Sequence, residues 1–168
     1  MSRRRYLLPG IRGISRPALR RRAHRVGSLL YKEPHMNPNP NPMSGNLLNE
    51  EQLSAMEPIH HYFQGHAQDN AAFMRQAFLP SAHIESMRDG VFTSWPLDVY
   101  CERFKGTPAA DEPTRKRSVD WIEVHGSAAS ARITLEHGAM KFVDYFVLLK
   151  TEQGWKIANK AFHGQASM

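Results

Sequence analysis

The sequence predicts an α+β domain, and three observations carry that prediction. Apolar residues recur at helical spacing in three stretches between Asn49 and Gly106. From Thr114 onward the spacing changes to two, the period of half-buried strands. Turn-forming groups then punctuate the chain at regular intervals, at Gly126-Ser127, Gly138-Ala139 and Glu152-Gln153-Gly154. Helices ahead of a four-stranded antiparallel meander give two layers, with the sheet curling over the helices.

The first helix is predicted to start at Asn49-Glu50-Glu51-Gln52. Asn caps, the acids meet the positive end of the helix, and Gln three residues on completes a capping box. Leu53, Met56, Ile59 and Phe63 follow at helical spacing, flanked by Tyr62 and His66, while Pro58 predicts a kink or two abutting helices. A second helix follows Asn70, carries Phe73, Met74, Ala77 and Phe78 on one side, and stops at Pro80. The third runs from Pro96 through Leu97, Tyr100, Cys101 and Phe104 to Gly106. Strands fit Arg117–His125, Ala128–His137, Lys141–Lys150 and Trp155–His163, with a weaker pair at His83–Met87 and Val91–Thr93 around Asp89-Gly90.

Charge divides the chain in two. Residues 1–43 hold ten Lys or Arg and one acid, whereas residues 44–168 hold twelve Lys or Arg against fifteen acids. The formal charge of +6 therefore belongs to the leader, and the domain itself is not a basic nucleic-acid binder. Residues 1–43 are read as a basic, unstructured leader ending in three Asn-Pro pairs (Asn37 to Pro42), a linker pattern. The domain is expected over residues 44–168, with Met36 or Met43 as an alternative start. The Arg-rich, acid-poor composition of the leader also fits a mitochondrial transit peptide, if the source is eukaryotic, or an arm held to phosphates. Its twin-arginine look is undercut by Pro9, Arg12, Arg16 and Pro17, which interrupt the apolar core an export signal needs. With one cysteine, Cys101, and no apolar run near the roughly 20 residues of a membrane span, the expected location is the cytoplasm.

Tyr62-Phe63-Gln64-Gly65, Asp69 and Phe78-Leu79-Pro80-Ser81-Ala82 resemble the opening of the putative lumazine-binding family, in the nuclear-transport-factor-two-like superfamily that also holds polyketide-cyclase-like proteins. The ending is similar as well, at Phe142-Val143-Asp144-Tyr145, Leu148-Leu149-Lys150, Gly154-Trp155-Lys156-Ile157 and Lys160-Ala161-Phe162. The resemblance spans Leu53 to His163. It implies a cone-shaped fold with a pocket between helices and concave sheet, and commonly a homodimer made by sheet packing. Superfamily members include ketosteroid isomerases, epoxide hydrolases, dehydratases and cyclases, which use acid–base chemistry without a cofactor, and also proteins that only bind or dimerise.

Asp144 is the most informative position, because it interrupts an apolar strand between Val143 and Tyr145. If Gly138-Ala139 is a two-residue turn, Asp144 lies opposite Ile133 on the face of Ala131, Leu135, Phe142 and Phe146. An even-length turn before Trp155 adds Ile157, Asn159, Ala161 and His163 to that face and brings His163 beside Asp144, whereas an odd one removes the pairing. A carboxylate on an apolar concave face loses hydration, which raises its pKa and suits it to proton transfer. Asp144 and His163 are thus the catalytic candidates. Phe142, Phe146 and Asn159 are ligand-contact candidates on the same face, joined by Tyr62 on the first helix and Trp95 before the third. The competing reading makes Asp144 a hydrogen-bonded structural residue and Tyr62 a core aromatic.

No metal is expected, since His60, His61 and His66 lack an i,i+4 pair with an intervening Glu. No cofactor is expected either, because neither a phosphate loop nor a dinucleotide fingerprint occurs. The sequence therefore reads as a pocket for a small hydrophobic or aromatic molecule, with cofactor-free isomerase, dehydratase or cyclase chemistry at Asp144 as its extension. The alternative is a non-catalytic dimerisation or accessory module whose cone is plugged by Phe142, Phe146 and Trp155.

Overall fold

Asn49 accepts a hydrogen bond from the Gln52 amide while the Gln52 side chain accepts from the Asn49 amide, so the predicted capping box starts helix α1 (Glu50–Ala55). The computed structural model describes residues 48–166, and the basic leader and its Asn-Pro linker lie outside them. Helix α2 (Glu57–Ala67) follows at once, and Pro58 sits in its first turn, where a missing N–H costs nothing. Of the two outcomes Pro58 predicts, abutting helices are observed: the run is interrupted only at Met56, whose backbone stays right-handed helical and whose carbonyl accepts from the His60 amide at 3.0 Å. Ala55, Ile59 and Tyr62 are buried at helical spacing across the junction, Met56 and Phe63 pack against the core, and Leu53 is exposed.

Asn70 caps α3 (Ala71–Ala77), and β1 (His83–Arg88) pairs with β2 (Val91–Pro96) through the Asp89-Gly90 turn. Both turn residues have positive φ, 51° and 77°, the geometry that matches strand twist in a tight hairpin and that Asp-Gly tolerates. Helix α4 spans only Leu97–Cys101, shorter than the predicted run to Gly106. Beyond it the chain is held by Asp69, whose carboxylate accepts from the amides of Lys105 and Thr107 at 2.8 and 3.1 Å, drawing residues 105–107 out of the helical path. A single 3-10 turn (Glu112–Thr114) leads into β3 (Lys116–His125), β4 (Ala128–His137), β5 (Met140–Thr151) and β6 (Gly154–Ala166).

The six strands form one sheet in the order β2-β1-β6-β5-β4-β3, in which β1 and β6 run parallel and all other neighbours antiparallel. Ala131, Ile133, Leu135, Phe146, Leu148, Trp155 and Ile157 line the face that meets the helices. Burying a large apolar side chain of this kind contributes about 1.5–3 kcal/mol. Trp155 and Cys101 belong to this core. On the opposite face of β5, Tyr145, Val147 and Leu149 stay exposed. The basic Arg115-Lys116-Arg117 cluster marks the start of β3, an edge strand. Arg117 is held there by both carboxylate oxygens of Glu112.

Two bulges break the strand registers. Between β3 and β4, Val119 faces Ile133 but Trp121 faces Arg132, leaving Asp120 as the extra residue. Between β5 and β6, Leu148 faces Ile157 but Val147 faces Asn159, leaving Ala158 extra. The second bulge decides which side chains of β6 enter the cone.

Candidate functional site

The two-residue turn at Gly138-Ala139 holds, and Asp144 lies opposite Ile133 on the face toward the helices. It is fully buried, in the middle of an otherwise apolar layer. A lone charge there would cost several kcal/mol, so the neighbours that offset it matter. Tyr62, from α2, donates its hydroxyl to Asp144 Oδ2 at 2.6 Å. Lys160, from β6 and only 4% exposed, donates to the same oxygen at 2.9 Å and to the Tyr62 hydroxyl at 2.6 Å. The three side chains close a triangle, and Oδ1 of Asp144 is left without a partner among the described residues.

Burial pulls the Lys160 ammonium down, but the charge of Asp144 and the adjoining Tyr100 more than offset it, so its pKa lies above the ordinary lysine value. Burial pushes Tyr62 well above the usual phenol range, reinforced by the Asp144 charge, and raises Tyr100 too. Both phenols therefore stay protonated. The Tyr100 hydroxyl and His66 Nε2 are 3.2 Å apart, a hydrogen bond whose direction follows the imidazole tautomer. His66 stands 5.6 Å from His137, ring to ring. Burial and then the charge of Lys160 hold His66 well below the ordinary imidazole value, and burial with Arg117 and Arg115 lowers His137 to about 4. Both imidazoles are neutral at pH 7.

These groups line one cavity of about 550 Å³ between the helices and the concave face. Its floor is polar and buried, at Tyr62, Tyr100, Asp144 and Lys160, while Trp95, Phe104, Leu135, Phe142 and Phe162 make the apolar wall. Arg88, Asp89 and Arg103 stand exposed at the rim. A second hollow, about 790 Å³, lies by Asn49, Gly126 and Lys150. It is a wide-open surface depression without a converging set of buried polar groups, and the chemistry is in the cone.

The structure brings Tyr62, Trp95, Phe142 and Asp144 to this cavity. Phe146 does not reach it; it packs beneath the floor, 5.2 Å from the Tyr62 ring and 6.3 Å from Phe78. Asn159 and His163 are displaced by the Ala158 bulge, which reverses the facing of the rest of β6. Phe162, not His163, pairs with Asp144. His163 is exposed at the rim, opposite Val143, and Asn159 turns to β1, where its amide donates to Glu85 Oε2 at 3.0 Å. The same bulge turns Lys160 inward. Lys160, Tyr100, His66 and His137 are therefore site residues that sequence reasoning missed. The signal for Lys160 was present: buried positions are odd at Trp155 and Ile157, yet the next large apolar residue, Phe162, is even.

Among the described residues no three His, Cys, Asp or Glu side chains converge to hold a metal ion, and no helix is long and apolar enough to cross a membrane.

Helices closing a curved sheet over a cavity define an NTF2-like (nuclear-transport-factor-two-like) domain. Solved structures agree. An NTF2-like protein of unknown function from Shewanella baltica is 28% identical, covering 73% of this chain and all of its own with a TM-score of 0.64. One from Methylobacillus flagellatus is 26% identical, covering 74% and 99%, with a TM-score of 0.61. The chain belongs to the family described as "Putative lumazine-binding", which matches residues 50–163. Comparison with curated proteins gives no match.

Proposed function

We propose that the domain binds a small, largely apolar planar molecule in the cone and engages one polar group of it at the Tyr62–Asp144–Lys160 floor. One observation carries this reading: a buried ion pair with an unpartnered carboxylate oxygen lines a cavity of about 550 Å³. An ion pair is often no more stabilising than apolar side chains of the same volume, so its presence at the bottom of a cavity favours a role toward a ligand. The volume lies in the range of small-molecule sites. As an extension of this reading, Asp144 takes a proton from the bound molecule at Oδ1, while Lys160 and Tyr62 hold charge on Oδ2. That is cofactor-free chemistry of the isomerase, dehydratase or cyclase kind.

The test is direct binding. Lumazine, suggested by the family description, and 1-anilinonaphthalene-8-sulfonate are titrated while tryptophan fluorescence is followed, since Trp95 lies in the wall. Gly164 supplies the control. A Cβ there would lie 2.7 Å from the Phe142 ring, so Gly164→Val drives that ring into the cavity. Forcing a side chain aside costs about 1–3 kcal/mol, and binding should weaken by about tenfold or more. Absence of saturable binding by either probe, or affinity indifferent to Gly164→Val, would defeat the pocket reading.

A second reading, a homodimerising module, is favoured by the exposed stripe of Tyr145, Val147 and Leu149. Contiguous apolar surface of this kind marks interaction sites. Two chains back to back on this face would cover it without touching the cavity. Light scattering at micromolar concentration should return twice the chain mass, and Tyr145→Lys with Val147→Lys should return one. A single-chain mass for the unaltered protein rejects the dimer.

A further inference from the structure

Resting on the pocket reading, we propose that the ligand is an aromatic carboxylate, its carboxylate held at the rim by Arg103 and its far, oxygen-bearing edge at the floor. The Arg103 guanidinium lies 4.9 Å over the Trp95 ring. Trp95 in turn stacks on Phe162 with centroids 6.2 Å apart and planes 28° from parallel. The Lys160 ammonium then sits 4.6 Å from the Phe162 ring. Two cations thus bracket two aromatic rings, and all four residues line the cavity.

The two cations differ in what neutralises them. Lys160 is matched by Asp144. Arg103 has no ion pair and no side-chain hydrogen bond among the described residues, and neither does Arg88 beside it at the rim. With the buried-side imidazoles of His66 and His137 neutral, the lysine and arginines of the lining make three cations against the carboxylates of Asp89 and Asp144. The surrounding domain carries more acids than bases. A net-positive cavity in a net-negative domain selects for an anion. Its place over the Trp95 ring keeps the Arg103 guanidinium at the rim, and a guanidinium favours a carboxylate able to take two parallel N–H bonds. The apolar wall between rim and floor requires the body of the ligand to be apolar, and with the faces of Trp95 and Phe162 already covered, Phe104 and Phe142 are the lining phenylalanines left to meet a flat one.

Isothermal titration with 6-hydroxy-2-naphthoate and its methyl ester tests this, because the pair share rings and hydroxyl and differ only in the anion. The carboxylate should bind about tenfold or more tightly than the ester, the size of one charge-assisted contact. Arg103→Met, which keeps an apolar contact on Trp95, should erase that preference while leaving the ester's affinity in place. Equal binding of acid and ester, or equal weakening of both by Arg103→Met, overturns the anion assignment but leaves the pocket standing. Binding of neither compound overturns the assignment, and the lumazine and anilinonaphthalene titrations decide separately whether the pocket reading falls with it.

Discussion

Lys160→Met should lower the unfolding free energy by about 3–5 kcal/mol at pH 7, the cost of leaving a buried carboxylate without its counterion. Asp144 is fully buried and Lys160 nearly so, so solvent does little to soften the loss. Removing both charges is different: Lys160→Met with Asp144→Leu should recover most of the stability, because an apolar pair of similar volume needs no desolvation. The Asp144→Asn variant gives the complementary result, a buried ammonium without its acid. In the unaltered protein the raised pKa of Lys160 means that its contribution is complete below about pH 10.5 and is lost only as pH rises through the folded-state value. In Asp144→Asn, burial, the largest influence on Lys160, is opposed by Tyr100 alone, so its folded value drops and stability should climb as pH is raised toward 10.5. Urea titrations at pH 7, 8 and 9 read all three variants. A loss below about 1 kcal/mol for Lys160→Met, the range of an exposed pair, would mean that water reaches the floor and that the triangle is not a desolvated site.

The second large effect lies on the acid side. His66 and His137 are both held below the ordinary imidazole pKa, so the unfolded chain binds their protons before the folded one does. Stability is then present above about pH 6.5 and falls as pH drops, with a slope approaching about 1.4 kcal/mol per pH unit for each histidine. His137 is partly open to water, which reduces its share. The groups facing the pair are the cations Lys160, Arg117 and Arg115 and, around His137, the carboxylates of Glu112 and Asp111; the cations outweigh the acids, so protonating either ring adds to the cost of burial. Between pH 6.5 and 5 ordinary carboxylates remain ionised, which isolates the imidazoles. His66→Gln with His137→Gln keeps a partner for the Tyr100 hydroxyl and should flatten the slope. A flat profile in the unaltered protein, or the same slope in the double variant, would contradict the neutral pair.

How far the sequence revealed this molecule can be judged on β5 and β6. The facing of Asp144 was legible because the Gly138-Ala139 turn fixes the β4–β5 register, and alternation runs unbroken from Ala131 to Phe146. The partner strand was not legible by the same rule. Its turn is also two residues long, but the extra residue at Ala158 exchanges inward for outward, so Lys160 rather than His163 shares the buried face. Ala158 carries no chemical mark of a bulge; only the change of parity between Ile157 and Phe162 betrays it. The helices show a related limit. Tyr62 and Tyr100 were recognisable as helix aromatics, yet their convergence on one ammonium depends on how α2 and α4 cross the sheet, which spacing within a helix does not encode.

The β1–β2 hairpin joins the meander of β3, β4 and β5 only through β6, which lies between them and is the last described strand in the chain. Synthesis runs from the N-terminus, so the helices, the hairpin and the strands β3, β4 and β5 are all made before their common neighbour. Lys160 is added later still than the start of that strand. Until then β1 and β5 each present an unpaired edge, and Asp144 has no counterion. The cone closes, and its floor becomes electrically neutral, in the same late event.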